Sequence, residues 1–205
     1  NDYYLKADYY ELCQDPSYPS PPPPPPPSSV TSCDRDRKTA KDNLYKMIFN
    51  TRSQFKQVSE WFDGGLDIEI NIFFSQPNGA LTKVTKFIHG ADHDFNDCGL
   101  FDCDPEWFSI NLEIVDWARS VYGSAMLYNW IEKDPGSTTT YKTSFASTYK
   151  ADDGTSSTLT NEVSLSVTDK DDMLGESIVE YCDNTDGSGY LYNTGWIKFY
   201  VRQLY

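Results

Sequence analysis

The sequence predicts an all-β chain, an antiparallel β-sandwich of about eight or nine strands with one short helix. Three observations predict it. From about residue 42 onward apolar residues recur mostly at every second position, the spacing that turns one face of a strand toward a core. Turn-forming clusters (Pro77-Asn78-Gly79, Gly123-Ser124, Asp134-Pro135-Gly136-Ser137 and Asp152-Asp153-Gly154-Thr155) punctuate these runs. The 205 residues are 39% hydrophobic and 15% aromatic, enough for a sizeable core and too apolar for a disordered chain.

Residues 1–40 differ from the rest and are read as an N-terminal tail with a spacer; residues 41–205 form the sandwich. Ser20 is followed by seven prolines, Pro21 to Pro27. Proline has no N–H to give a sheet ladder, so the run predicts a polyproline II rod of roughly 20 Å at about 3.1 Å per residue. Such a rod suits a spacer that holds a domain off a surface. Upstream, Tyr3-Tyr4-Leu5 and Tyr9-Tyr10-Glu11-Leu12-Cys13 are apolar enough to dock on the main domain, with Cys13 placed to pair with Cys33 across the prolines.

The first strand is Leu44-Tyr45-Lys46-Met47-Ile48-Phe49. A short helix follows, capped by Ser53, with Phe55, Val58 and Phe62 on one face and Gly64-Gly65 ending it. Leu66, Ile68, Ile70 and Ile72 alternate with Asp67, Glu69 and Asn71, a half-buried strand, and residues 81–88 return from the Pro77-Asn78-Gly79 turn. Strands are then expected over 107–118, 125–132, 139–149, 162–167, 176–181 and 196–202.

With a net charge of -14, the chain is a poor candidate for nucleic acid or an anionic membrane, which need a basic face. No run of about 18 apolar residues is present to span a membrane. The chain starts at Asn1 without a signal peptide, which reads as a processed form. Five cysteines with many Tyr, Asn, Ser and Thr suggest export, secreted or held at the cell surface or periplasm, in the style of a bacterial protein. A lipid anchor on a removed N-terminal Cys fits that picture. Five is odd, so one thiol is left after two bridges. Cys182, with no local partner, is expected to be a buried free thiol.

If the strands run up and down, the turn over 169–172, the turn at 134–136 and the long 89–106 connection meet at one pole. That connection holds Asp92, Asp94, Asp97, Asp102, Asp104 and Glu106. Crowded carboxylates repel, and a bound cation relieves the cost. Asp169, Asp171, Asp172, Asp92, Asp94, Asp102 and Asp104 are therefore the expected Ca²⁺ ligands. The alternative for each is a solvated turn, since Asp favours turns. A rival metal reading uses both histidines: His89, His93, Cys98 and Cys103 lie within fifteen residues, a donor set for Zn²⁺. In an oxidising compartment a Cys98–Cys103 bridge is the stronger reading.

Val167-Thr168-Asp169-Lys170-Asp171, followed by Asp172 and Leu174-Gly175-Glu176, resembles the third Ca²⁺ loop of C2 domains. Gly195-Trp196-Ile197-Lys198-Phe199-Tyr200-Val201 is similar to their closing strand. The resemblance spans roughly residues 125–202. It implies a C2-like sandwich that binds Ca²⁺, without phospholipid targeting. The Asp-Pro-Tyr of that family's first loop is absent, and the 92–106 stretch occupies its place.

No Gly-x-Ser-x-Gly, His-Glu-x-x-His or phosphate-cradling loop is present, so catalysis is not the favoured reading. The expected function is a non-catalytic binding or adhesion module, Ca²⁺-dependent through its acidic pole, that meets a protein or a glycan. Phe95, Phe101, Trp107 and Tyr122 are its candidate aromatic anchors. One alternative is a zinc-dependent hydrolase built on the 89–103 loop. Another is a structural envelope protein that packs into a larger assembly.

Overall fold

The computed structural model describes residues 41–58, 65–91, 94–98, 103–134, 136–150, 155–168, 171–183 and 189–204. The proline rod and the Cys13–Cys33 pairing lie outside the described residues. Among the described residues, twelve strands and two short helices form an all-β antiparallel sandwich. Its elements are β1 (Lys41–Phe49), α1 (Arg52–Val58), β2 (Leu66–Ser75), β3 (Leu81–Gly90), β4 (Asn96–Cys98), β5 (Cys103–Pro105), β6 (Phe108–Asp116), α2 (Arg119–Tyr122), β7 (Ala125–Glu132), β8 (Thr138–Lys150), β9 (Ser156–Thr168), β10 (Asp172–Glu180), β11 (Tyr190–Asn193) and β12 (Ile197–Leu204).

Two four-stranded sheets carry the sandwich, in the orders β11-β12-β1-β6 and β10-β7-β2-β3. The predicted alternation in β2 holds. Leu66, Ile68, Ile70, Ile72 and Phe74 are buried in the main core, opposite Leu44, Met47, Phe49, Ile197, Phe199 and Val201 of the other sheet. Phe199 sits at the centre, its ring 5.7 Å from Tyr128, 4.9 Å from Trp130 and 5.2 Å from Tyr192. Burying each such side chain contributes about 2–3 kcal/mol.

The strand β1 breaks the alternation expected of it. Leu44 and Met47 both face the core although three positions separate them. A register shift between Leu44 and Lys46, present in the pairings with both β12 and β6, makes this possible. The extra residue keeps Tyr45 and Lys46, neighbours in sequence, both out of the main core.

The remaining long pair, β8 and β9, is a two-stranded sheet of its own with thirteen residues in each strand. It lies on the outer face of the second sheet. Phe145, Val163, Leu165 and Val167 of the hairpin pack with Phe73, Leu127 and Ile131 in a separate apolar cluster. This third layer explains why β7 is buried along its whole length: one face meets the sandwich core and the other meets the hairpin. Gly123 permits the close approach at the base of β8. Its φ is +71°, and a Cβ there would lie 2.3 Å from Ser147 Oγ.

Three expectations about local structure change. Helix α1 is capped by Thr51, not Ser53: the Gln54 amide donates to Thr51 Oγ1 at 3.2 Å. Asp172 begins strand β10 instead of completing a turn. Within β10, Gly175 occupies a register shift at φ +87°. The 89–106 connection, expected as loop, contains the short β4–β5 pair.

Candidate functional site

The pairings bring the expected acidic elements to one end of the molecule. Leu66 opposes Gly90, and Ile68 opposes Glu132, which opposes Asp172. Thr138 at the start of β8 opposes Thr168 at the end of β9, and the Thr168 hydroxyl lies 2.8 Å from the Asp134 carbonyl oxygen. The ends of β3, β7 and β9 thus share a pole with the starts of β2, β8 and β10.

Asp171 is the best-defined carboxylate there, and it is held internally. Its side chain has no exposed surface. It accepts from Lys133 Nζ, from the Asp134 amide at 2.9 Å, from the Thr168 amide at 2.8 Å and from Thr168 Oγ1 at 2.6 Å. Burial pushes its pKa up, but the hydrogen bonds from Lys133, Thr168 and the Asp134 amide outweigh that and hold it below the ordinary carboxylate value. Asp171 therefore fastens three chain segments together. Its neighbour Asp172 shifts the other way: burial, then the charges of Asp134 and Asp171, raise its pKa.

The other expected ligands are scattered. Asp94 is exposed and accepts from the Ala91 amide at 2.9 Å. Asp104 is exposed on β5. Asp169, Asp92, Asp102 and His93 lie outside the described residues. His89 is exposed, with Nδ1 2.5 Å from Asp67 Oδ1 and its ring parallel to Phe87. Cys98 and Cys103 oppose each other across β4 and β5. Among the described residues no group of three or more His, Cys, Asp or Glu is gathered to hold a metal ion. Cys182 carries a disulfide, which corrects the expectation of a free thiol.

The aromatic anchors also separate. Phe95 is core, stacked on Phe108 at 4.3 Å, and Tyr122 packs edge-on against Phe74 at 4.5 Å. Phe101 lies outside the described residues. Trp107 alone stays on a surface with company. Its indole is 5.3 Å from the Tyr200 ring, and Lys46 Nζ lies 4.5 Å from Trp107, 5.2 Å from Tyr200 and 5.7 Å from Tyr45. The Arg202 guanidinium covers Tyr45 at 3.4 Å.

This cluster lies on the outer face of the β11-β12-β1-β6 sheet, and the register builds it. Leu191 opposes Tyr200, Tyr200 opposes Lys46, and Lys46 opposes Ser109. Lys198, in the neighbouring row, opposes Ile48 and Asn193. Leu191 is 41% exposed. Lys41, at the end of the face, pairs with Glu113 at 2.9 Å, whereas Lys46, Lys198 and Arg202 form no ion pair among the described residues. Aromatic faces with cations over them gain about 0.5–1 kcal/mol each at exposed sites, so the cluster is partly self-supporting.

Sequence reasoning missed Tyr45, Lys46, Tyr200 and Arg202. A signal for some of them was present: in residues 197–202 the apolar Ile197, Phe199 and Val201 alternate with Lys198, Tyr200 and Arg202. Comparison of the chain with protein-family models, curated proteins and solved structures finds no match, so the geometry stands alone as the guide to function.

Proposed function

We propose that this chain is a non-catalytic binding or adhesion module, displayed outside the cytoplasm on its proline-bearing segment, and that it meets its ligand on the open face around Trp107. One observation carries the reading. Trp107, Tyr45 and Tyr200 gather with Lys46 and Arg202 on a sheet face that nothing else in the described structure covers. Trp, Tyr and Arg dominate the energetics of binding surfaces; the rings of Trp and Tyr bury much area at small entropic cost, and Arg adds a planar cationic donor fork. The disulfide at Cys182 supports an oxidising compartment. No helix among the described residues is long and apolar enough to cross a membrane.

The test is retention of the intact chain on immobilised glycans and extracellular proteins, comparing wild type with Trp107→Ala and Tyr200→Ala. Both variants should keep the wild-type melting temperature to within a few degrees and lose retention. Retention unchanged in both variants would place the binding face elsewhere.

Calcium at the acidic pole, and with it the C2-like reading, stays within the proposal on one observation. Asp172 is crowded by Asp134 and Asp171, a charge cost that a cation would relieve. Asp171 would have to share its oxygens with Lys133. Unfolding in EDTA against added Ca²⁺ decides it, because selective binding to the folded state must raise the midpoint as Ca²⁺ increases.

A further inference from the structure

We propose that the partner of the Trp107 face is an anionic polysaccharide, a chain of sugars bearing carboxylates or sulfates; this rests on the assignment of that face as the binding surface. Charge is the first reason. In a chain of net charge -14, Lys46, Lys198 and Arg202 share one face with no carboxylate paired to them among the described residues. Glu113, which opposes Asn43 in the same sheet, is taken up by Lys41. Screening limits a charge's reach to about 8 Å at physiological ionic strength, so a ligand on this face senses these cations before the distant pole.

The second reason is the kind of surface. Both β1 and β12 are interior strands: β12 runs between β11 and β1, and β1 between β12 and β6. Their main-chain groups are already paired on both sides, so a peptide cannot add to the sheet there as a further strand. The face offers ring surfaces and cationic heads. Rows of side chains stand about 4.8 Å apart from strand to strand, which suits repeating units laid across them. The C–H faces of sugar rings pack on indole and phenol. The carboxylate or sulfate of each unit accepts from Lys46, Lys198 or the Arg202 fork, which stacking on Tyr45 holds in plane. Lys46, set among three aromatic rings by the β1 bulge, is the central contact.

The experiment is affinity electrophoresis of the intact chain at low ionic strength. The gels contain polygalacturonate, its fully methyl-esterified form, heparin, poly-L-glutamate or a thymidine oligonucleotide. We expect retardation by polygalacturonate or heparin, and which of the two is stronger separates carboxylate from sulfate recognition. Lys46→Met and Arg202→Gln should each weaken it about tenfold, since a hydrogen bond to a charged group contributes on that scale. The esterified polymer should not retard the protein. Equal retardation by the esterified form would overturn the charge proposal while leaving the binding face intact. Stronger retardation by poly-L-glutamate or by the oligonucleotide would overturn it in favour of an acidic peptide or a nucleic acid. No retardation in any gel by a chain shown folded by its melting transition would sink both this proposal and the glycan side of the reading beneath it. A melting temperature unchanged in Lys46→Met keeps misfolding out of the comparison.

Discussion

The two sheets of the sandwich treat their outer faces in opposite ways. The β10-β7-β2-β3 sheet hides much of its outer face beneath the β8–β9 hairpin, through Phe73, Leu127 and Ile131. Among the described residues no further layer covers the outer face of the β11-β12-β1-β6 sheet, which carries the half-buried Tyr45, Lys46, Trp107, Tyr200 and Arg202. The difference follows from sequence. Strand β7 is apolar at nearly every position, and such a strand needs cover on both sides. Strand β12 alternates, and a strand that alternates can leave one side to solvent. The lesson is that the covered face spends its aromatic residues on the core of a third layer, while the other face leaves its aromatic residues half-exposed, where the proposed ligand would meet them.

The sharpest way to break this contrast is to remove a side chain from the covered face. Phe145→Ala should cost about 3–5 kcal/mol, the usual range for emptying a buried aromatic site, read as a drop in urea midpoint. Next comes the clasp between the hairpin and β7. Asp171→Asn should cost about 2 kcal/mol, because Lys133 and the Thr168 and Asp134 amides lose a charged acceptor. Its pH dependence has a definite sign. The folded-state pKa of Asp171 is depressed, so its contribution is present above the ordinary carboxylate value and is lost as pH falls through the folded-state value. The Asp171→Asn variant should therefore lose less stability than wild type on acidification. Asp172 and Asp183 act oppositely, since burial raises both: each costs stability as pH rises through its folded-state value. Asp172→Asn should raise the midpoint at neutral pH.

A smaller effect is expected at Gly123. Placing Ala at φ +71°, with its Cβ against Ser147, should cost about 1–2 kcal/mol. The smallest belongs to the open face. Tyr200→Ala should change stability by about 1 kcal/mol or less while abolishing ligand retention, because only cation–π and ring contacts are lost. If Tyr200→Ala proved as destabilising as Phe145→Ala, the open face would be structural and the contrast between the sheets would collapse.

Much of the fold was legible because its causes are local. The four isoleucine and leucine positions of β2, the run from Glu162 to Val167 and the alternation of β12 each declare a period of two within a few residues. What was not legible depends on distant partners. The bulge at Tyr45 appears only when β12 and β6 are both paired to β1. The hairpin reads as two more strands of the sandwich until its apolar face is seen to meet the back of β7. The sequence displays the Asp171 carboxylate but not the Lys133 that reaches it from 38 residues away. The proposed binding face was hidden in the same way. Trp107 stood out as an aromatic beside a polar connection, but Tyr200 and Lys46 join it only through strand register.

The place of β1 has a mechanical consequence. The strand continues directly from the proline-bearing segment and lies between β12 and β6, antiparallel to both. Were the chain held by that segment and the proposed ligand bound at Tyr200 and Trp107, on either side of β1, a pull between the two would draw β1 against both of its neighbours. It would therefore load the hydrogen bonds of two ladders in parallel, as shear, instead of peeling an edge strand one bond at a time. Lys46 lies on β1 itself, whereas Tyr200 lies on β12 and Trp107 directly precedes β6, so the cluster is joined to β1 through those two ladders.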